Sequence, residues 1–219
     1  MGFGQLILIL LLRSAAHGEP VAWLYGLLLA ASLAVLLRFK LAPPVYYLVC
    51  ASLLLLTYRI GHWQFAVIGD EYTFYSYGVQ RLNENTLIQN LALIFDGLAV
   101  YGSHPFFSSL LQMASMALLG EDNFGWRFSS IYLAAASLFF FHAFFRAFLS
   151  QRLALWAVIF LGASQYLMTF GKIGYNNLQA LFGLGLLLWA GGRALRLGSM
   201  AAYTSFGAAM GLCFYLYPA

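Results

Sequence analysis

The chain has 219 residues, of which 63% are hydrophobic and only 8% are charged. Soluble domains carry about 25% charged residues, and a chain of this size has too little interior to hide so much apolar surface, so a water-soluble globular fold is excluded. The net charge of +4 does not indicate nucleic-acid binding, because the 11 Lys and Arg residues are scattered along the chain and form no basic stripe.

The apolar segments are long and continuous rather than alternating, which predicts membrane-spanning α-helices. The first run, Leu6–Leu12, is too short to span and lacks the features of a signal peptide. We interpret it either as the end of a helix that starts near Met1 or as a truncated helix. Six spans are predicted in a single transmembrane domain, 1–219, near residues 21–37, 45–60, 130–149, 153–170, 178–192 and 200–217.

Residues 61–103 differ in character and are predicted to form one long loop between the second and third spans. The loop contains four of the seven acidic residues of the chain, Asp70, Glu71, Glu84 and Asp96. Long loops in compact proteins are usually functional, so this segment is the first place in which to expect a site.

The segment at residues 104–119 is predicted to be a helix that lies in the plane of the membrane interface. Its polar residues His104, Ser108, Gln112 and Ser115 are spaced four, four and three positions apart, which places them on one helical face. A helix with one wet face suits the interface better than a full span.

The basic residues predict the topology, because cytoplasmic flanks carry an excess of Lys and Arg. If residues 104–119 lie flat, three basic pairs share one side of the membrane: Arg38 with Lys40, Arg146 with Arg152, and Arg193 with Arg196. We therefore expect these pairs in the cytoplasm. The 61–103 loop and the turn at residues 171–177 then share the extracytoplasmic side.

Two residues of the first half are candidates for acid–base chemistry. A carboxylate near the membrane surface, such as Asp70, is a reasonable general base for an acceptor delivered from lipid, although the start of a solvated loop is an equally good interpretation. His104 is followed by Pro105, and this pair is more typical of a helix start than of a catalytic histidine.

The second half offers candidates for phosphate binding. Arg127 and Lys172 can each hold a phosphate by charge-assisted hydrogen bonds or anchor the chain to lipid headgroups. Asn176 and Asn177 can bind a substrate or cap the following helix. The sequence has no HExxH, GxSxG, P-loop or CxxC pattern, which argues against protease, hydrolase, NTPase and redox functions.

Five short motifs follow one another in a distinctive order. They are Gly69-Asp70-Glu71-Tyr72, Ser103-His104-Pro105-Phe106, Gly120-Glu121-Asp122-Asn123-Phe124-Gly125-Trp126-Arg127-Phe128, the pair Arg146 and Arg152, and Gly171-Lys172-Ile173-Gly174-Tyr175-Asn176-Asn177. Over roughly residues 44–219 this order resembles the amino-terminal half of membrane glycosyltransferases of the GT-C fold, which include protein O-mannosyltransferases and the aminoarabinose transferase of lipid A. The resemblance implies an all-α, polytopic, GT-C-like helical bundle with an outer-face loop and an interfacial helix.

The resemblance also implies a function. Such enzymes move a sugar from a polyprenyl-phosphate carrier to a lipid, glycan or protein acceptor on the extracytoplasmic side of the plasma or inner membrane. Their first outer loop holds an acidic residue, which corresponds here to Asp70, with Glu71 beside it as a second catalytic candidate. The residues implied for substrate or carrier-phosphate binding are His104, Arg127, Lys172, Tyr175, Asn176 and Asn177.

The sequence departs from the family pattern before the fourth core helix. A second acidic residue is often found there, whereas this chain has Asn176 or Asn177, which can bind through a carbonyl oxygen but cannot act as a base. Participation of a divalent metal ion therefore stays open, and no other cofactor is indicated. Family members generally continue through several more helices, so we expect this chain to be a fragment.

Two other functions stay open alongside the glycosyltransferase. A transporter subunit needs ionisable or broken-helix elements at mid-membrane depth, and no charge lies in the central third of a predicted span, His142 coming nearest. A non-catalytic membrane scaffold would account for the missing second acidic residue. The glycosyltransferase is the preferred interpretation, with membrane lipids and a polyprenyl-phosphate-linked sugar as its expected partners.

Overall fold

A computed structural model of the chain describes residues 2–19, 21–38, 43–64, 69–96, 99–102, 104–174 and 179–216. Within these ranges the chain forms eleven α-helices and two short 3-10 turns, and it has no β-strand. The helices are α1 (Gly2–Ala16), α2 (Val21–Arg38), α3 (Pro44–Thr57), α4 (Glu71–Glu84), α5 (Leu87–Asp96), α6 (Phe106–Leu119), α7 (Asn123–Phe145), α8 (Gln151–Gly162), α9 (Gln165–Phe170), α10 (Ala180–Leu197) and α11 (Met200–Leu216).

Helix α7 is the centre of the bundle. It packs against α3, α6, α8 and α10, and its buried face carries Ile131, Ala134, Ala135 and Leu138. Its 23 residues extend about 35 Å at about 1.5 Å per residue, enough for a hydrocarbon core of about 30 Å.

Three helical segments of the described chain are long and apolar enough to cross a membrane, Pro44–His62, Asn123–Phe145 and Ala180–Leu197. Several shorter helices, including α6, α8 and α11, are also apolar. The chain is therefore an all-α membrane protein, as its composition predicted.

The prediction of one long loop at residues 61–103 is wrong, since the described part of this segment contains α4 and α5. Helix α4 buries Glu71, Phe74 and Gly78, which recur at helical spacing on one face. A Cβ atom at Gly78 would lie only 2.7 Å from Met116 Cε, so α4 approaches α6 closely at this glycine. The sequence did not predict helix α4, because most of its residues are polar and its buried face is narrow.

Local capping explains where the other helices differ from the predicted spans. Helix α7 starts at Asn123 instead of residue 130, because Asp122 Oδ1 accepts hydrogen bonds from the N–H groups of Phe124 (3.0 Å) and Gly125 (2.9 Å). The predicted span at 153–170 is divided into α8 and α9, and Ser164 Oγ caps α9 by accepting from Leu167 N–H. The amino-terminal apolar run belongs to helix α1, which extends from Gly2 to Ala16.

The polar face of α6 does not contact water, contrary to the prediction. Ser108, Gln112 and Ser115 are all buried. Their side chains donate hydrogen bonds to backbone carbonyl oxygens, of Pro105, of Trp126 and Gly174, and of Gly125, respectively. The apolar Leu118 is 83% exposed instead. The wet face was one of two reasons for placing α6 flat in the interface. The orientation of α6 in the membrane stays a prediction that now depends on the distribution of the basic residues alone.

Candidate functional site

A buried ion pair joins two distant helices. Glu71 lies in the first turn of α4 and Arg127 in the first turns of α7, and both side chains are fully enclosed. Glu71 Oε1 lies 3.0 Å from Arg127 Nη2. The guanidinium of Arg127 also packs over the indole ring of Trp126, with 5.0 Å from Cζ to the ring centroid. Burial of two charges is tolerated only when they are paired and hydrogen-bonded, and here they are.

The turn that follows α9 is held at Gly174 from three sides. The N–H of Gly174 donates to Glu71 Oε1 at 2.6 Å, and its carbonyl oxygen accepts from Gln112 Nε2 at 3.1 Å. A Cβ atom at this position would lie 2.5 Å from Trp126 Cζ3, so only glycine fits. Gly174 is therefore fixed against α4, α6 and α7 at once. The predicted site residues Tyr175, Asn176 and Asn177 follow it directly in the sequence.

An aromatic side chain lies between two cations at the same end of the bundle. The ring centroid of Trp63 is 5.7 Å from Arg127 Cζ and 5.1 Å from Lys172 Nζ. Arg127 Nη2 additionally donates to the carbonyl oxygen of Gln64 at 2.9 Å. Lys172 is half-buried, and burial lowers the pKa of its ammonium. Desolvation makes this cation a stronger electrostatic partner for an anion than a lysine in water.

Asp70 differs from its neighbour Glu71 because its side chain is exposed. The hydroxyl of Tyr101 lies 3.2 Å from Asp70 Oδ1 and 3.0 Å from Thr73 Oγ1, so it can donate its proton to either oxygen. Tyr101 has φ = 58°, a left-handed conformation that is rare for a bulky residue. Such backbone strain is concentrated at functional sites.

His104 completes this cluster. Its ring packs edge-on against Phe74, with 4.9 Å between centroids, and lies 6.1 Å from the ring of Tyr101. Burial lowers the pKa of His104, and the negative charge of Asp70 opposes that shift in part. Burial thus favours the neutral imidazole, in which one ring nitrogen carries a proton and the other can accept one.

We expect the pKa of His104 to lie below 6.5 and to fall further in Asp70→Asn, since that change removes the one nearby charge that raises it. Histidine-labelled NMR titration measures both values, with His104→Gln identifying the resonance. Because the folded-state pKa is depressed, His104 contributes stability above pH 6.5 that is lost as the pH falls through the folded-state value. A pKa that rises in Asp70→Asn would contradict this assignment.

The structure brings five of the eight predicted site residues to one end of the bundle: Asp70, Glu71, His104, Arg127 and Lys172. The other three, Tyr175, Asn176 and Asn177, lie outside the described residues. Four further residues shape the site and were not among the predicted site residues: Trp63, Tyr101, Gln112 and Gly174. Of these, only Gln112 was recognisable in the sequence, as a polar side chain in an apolar helix, and it was predicted to face water.

A family model described as dolichyl-phosphate-mannose-protein mannosyltransferase matches residues 103–218. The chain belongs to this family. No curated protein and no solved structure matches the chain. Membership of the mannosyltransferase family confirms the resemblance to GT-C glycosyltransferases on which the sequence analysis relied.

The mannosyltransferase match starts after α4 and α5, so Asp70 and Glu71 precede the matched segment. His104, Arg127, Gly174 and Lys172 lie inside it. The ion pair between Glu71 and Arg127 therefore attaches α4 to the matched segment.

The described side chains of the candidate site determine whether it can hold a metal ion. Among the residues that the structure describes, no three His, Cys, Asp or Glu side chains are grouped as metal ligands. Glu71 is already neutralised by Arg127, which leaves Asp70 as the exposed carboxylate at this point. The described residues alone therefore offer one free carboxylate as a donor to a divalent ion.

Proposed function

We propose that the chain transfers a sugar from a polyprenyl-phosphate carrier to a hydroxyl group of a lipid, glycan or protein on the extracytoplasmic side of the membrane. Membership of the mannosyltransferase family supports the reaction class. The observation that carries the assignment is the difference between two adjacent carboxylates. Glu71 is buried in an ion pair, whereas Asp70 is exposed and within hydrogen-bond distance of Tyr101.

In this proposal Asp70 is the general base. It accepts the proton of the acceptor hydroxyl as that oxygen forms a bond to the anomeric carbon of the sugar. The bond between the anomeric carbon and the carrier phosphate breaks, and the electron pair leaves with the phosphate. Lys172, a partly desolvated cation, stabilises the charge on the leaving phosphate. Arg127 acts through Glu71 as a positioning residue, because its side chain is enclosed.

An apolar groove offers a place for the chain of the carrier. It has a volume of about 280 Å³ and lies between α3, α7, α8 and α9, lined by Leu48, Ala51, Ser52, Leu55, Leu138, Val158, Ile159, Gly162, Ala163 and Met168. Met168 lies in α9, four positions before Lys172. In this proposal the phosphate of the carrier is bound at Lys172 and its isoprenoid chain extends into this groove.

We expect Ala51→Phe to raise the KM for a long-chain carrier about tenfold and to leave the KM for a short, water-soluble isoprenoid analogue unchanged. Ala51 is an exposed residue of the groove wall, so the added ring fills the groove at little cost to the fold. Leu153→Phe, an exposed position of α8 away from the groove, is the matched control. Equal KM values for both donors in Ala51→Phe would remove the groove from the proposal.

The test of the whole proposal combines sidedness with turnover. In a chain with Cys50→Ala and Cys213→Ala, single Thr73→Cys and Lys172→Cys variants are treated in intact cells with a membrane-impermeant maleimide. We expect both positions to react from outside. Purified chain in proteoliposomes is expected to release polyprenyl phosphate when donor and acceptor meet on that side. Labelling of only one position would place the two site segments on opposite sides and refute the mechanism, and a folded chain without turnover would favour the scaffold.

A further inference from the structure

A second cavity lies at the other side of α3, between α1, α2 and α3. It has a volume of about 240 Å³ and is lined by Leu11, Ala15, Gly18, Glu19, Trp23, Gly26, Leu54, Leu55 and Tyr58. A Cβ atom at Gly26 would meet nothing within 4 Å, so a larger side chain at this position has open space to enter. The cavity is separate from the cluster around Asp70 and Glu71.

The cavity has an apolar shaft and a polar mouth. Helix α1 ends at Ala16 and α3 ends at Thr57, so Gly18, Glu19 and Tyr58 lie at the same end, where the chain turns. The hydrogen bond from Arg59 N–H to the Ala15 carbonyl oxygen, at 2.9 Å, holds these two helix ends together. Leucine and glycine residues line the shaft, as expected for a site that takes an acyl chain with its headgroup at the boundary.

The mouth carries both signs of charge. The exposed carboxylate of Glu19 lines it directly. A Cβ atom on Gly18 would lie 3.9 Å from Arg59 Nε and 3.6 Å from His62 Nε2, so a guanidinium and an imidazole stand at the rim. In the part of the chain that the structure describes, neither Glu19 nor Arg59 forms an ion pair.

Two aromatic side chains stand beside the carboxylate. Trp23 is 76% exposed and Tyr58 is 53% exposed, and both line the cavity. Aromatic faces attract ammonium groups, and a carboxylate accepts hydrogen bonds from them. A guanidinium binds phosphate oxygens in the same way. The mouth therefore complements a headgroup that contains an ammonium and a phosphate, and a purely anionic headgroup would be repelled by Glu19.

We infer that this cavity binds a zwitterionic glycerophospholipid, with its ammonium at Glu19, Trp23 and Tyr58, its phosphate at Arg59, and one acyl chain in the shaft. The site is independent of the proposed transfer reaction.

Native mass spectrometry of the full chain, titrated with phosphatidylethanolamine or with phosphatidylglycerol of the same acyl chains, tests this assignment. We expect the wild type to bind phosphatidylethanolamine at least about fivefold more tightly than phosphatidylglycerol. Glu19→Gln should weaken phosphatidylethanolamine binding about tenfold, because a charge-assisted hydrogen bond is lost. Gly26→Leu should abolish binding by filling the shaft.

Glu84→Gln, at an exposed carboxylate of α4, is the matched control and should bind like the wild type. Equal affinities for the two lipids, or a Glu19→Gln variant that retains the wild-type preference, would overturn the assignment. Displacement of the lipid by inorganic phosphate alone would reduce the site to a simple anion site and overturn it equally. Glu19 is on the surface, so its variant tests the inference even if Gly26→Leu does not fold.

Discussion

Asp70→Asn is expected to lower the turnover number for sugar transfer by about 100-fold to 10,000-fold, the usual contribution of a general base. Asparagine retains an oxygen that can accept the hydrogen bond of Tyr101, so the local structure is preserved. It cannot take a proton from the acceptor hydroxyl. Release of polyprenyl phosphate at saturating donor and acceptor measures the change, and donor binding should stay within about twofold of the wild type.

The exposed Glu84 provides the control for this prediction. It belongs to the same helix, α4, and accepts hydrogen bonds from Gln80 at 2.9 and 3.1 Å. Glu84→Gln removes one carboxylate from α4 and should leave turnover unchanged. If Asp70→Asn keeps more than a third of the wild-type turnover, Asp70 is not the base.

The second large effect concerns the buried ion pair. Glu71→Gln and Arg127→Met should each destabilise the folded chain by about 3–5 kcal/mol, because either change leaves one buried charge without its partner. For a chain of this size that corresponds to a fall in Tm of about 6–20 °C. Thermal unfolding of the purified protein in detergent measures it.

The double variant separates loss of a charge pair from loss of packing. With both Glu71→Gln and Arg127→Met the buried charges are gone, and Gln at position 71 still offers an oxygen to the N–H of Gly174. The double variant should therefore be more stable than the Arg127→Met single variant. Arg146→Met, at the exposed opposite end of α7, should leave Tm unchanged. Additive losses in the double variant would show that the pair is not coupled.

The membrane class and most of the helices could be predicted from the sequence, because long apolar runs indicate a membrane protein and also mark where its helices lie. Helix α4 was missed, since its buried face consists of only Glu71, Phe74 and Gly78 in an otherwise polar segment. The burial of Gln112 could not be predicted either. A stripe of polar side chains in the sequence is the same whether the side chains form hydrogen bonds with water or with buried backbone groups. The partner of Gln112 in the structure, the Gly174 carbonyl oxygen, is 62 residues away in the sequence.

The candidate site was predicted only in part, because the environment of each side chain also depends on packing between distant segments. Asp70 and Glu71 are adjacent and were given the same role, yet one is exposed and the other is enclosed with Arg127. Nothing local distinguishes two neighbouring carboxylates at a helix start. The difference arises from which side of α4 faces α7, and that is a property of the packed bundle.

The three-sided attachment of Gly174 also constrains the order of events during biosynthesis. Gly174 follows its partner Glu71 by 103 residues, so at about 5–20 residues per second the ribosome needs about 5–20 s to supply it. Until then Glu71 can pair with Arg127, which is synthesised earlier, but it lacks the N–H of Gly174. A nascent chain stalled before residue 174 contains α7 but lacks this attachment, so we expect its α4 to be more accessible to protease than α4 of the 219-residue chain.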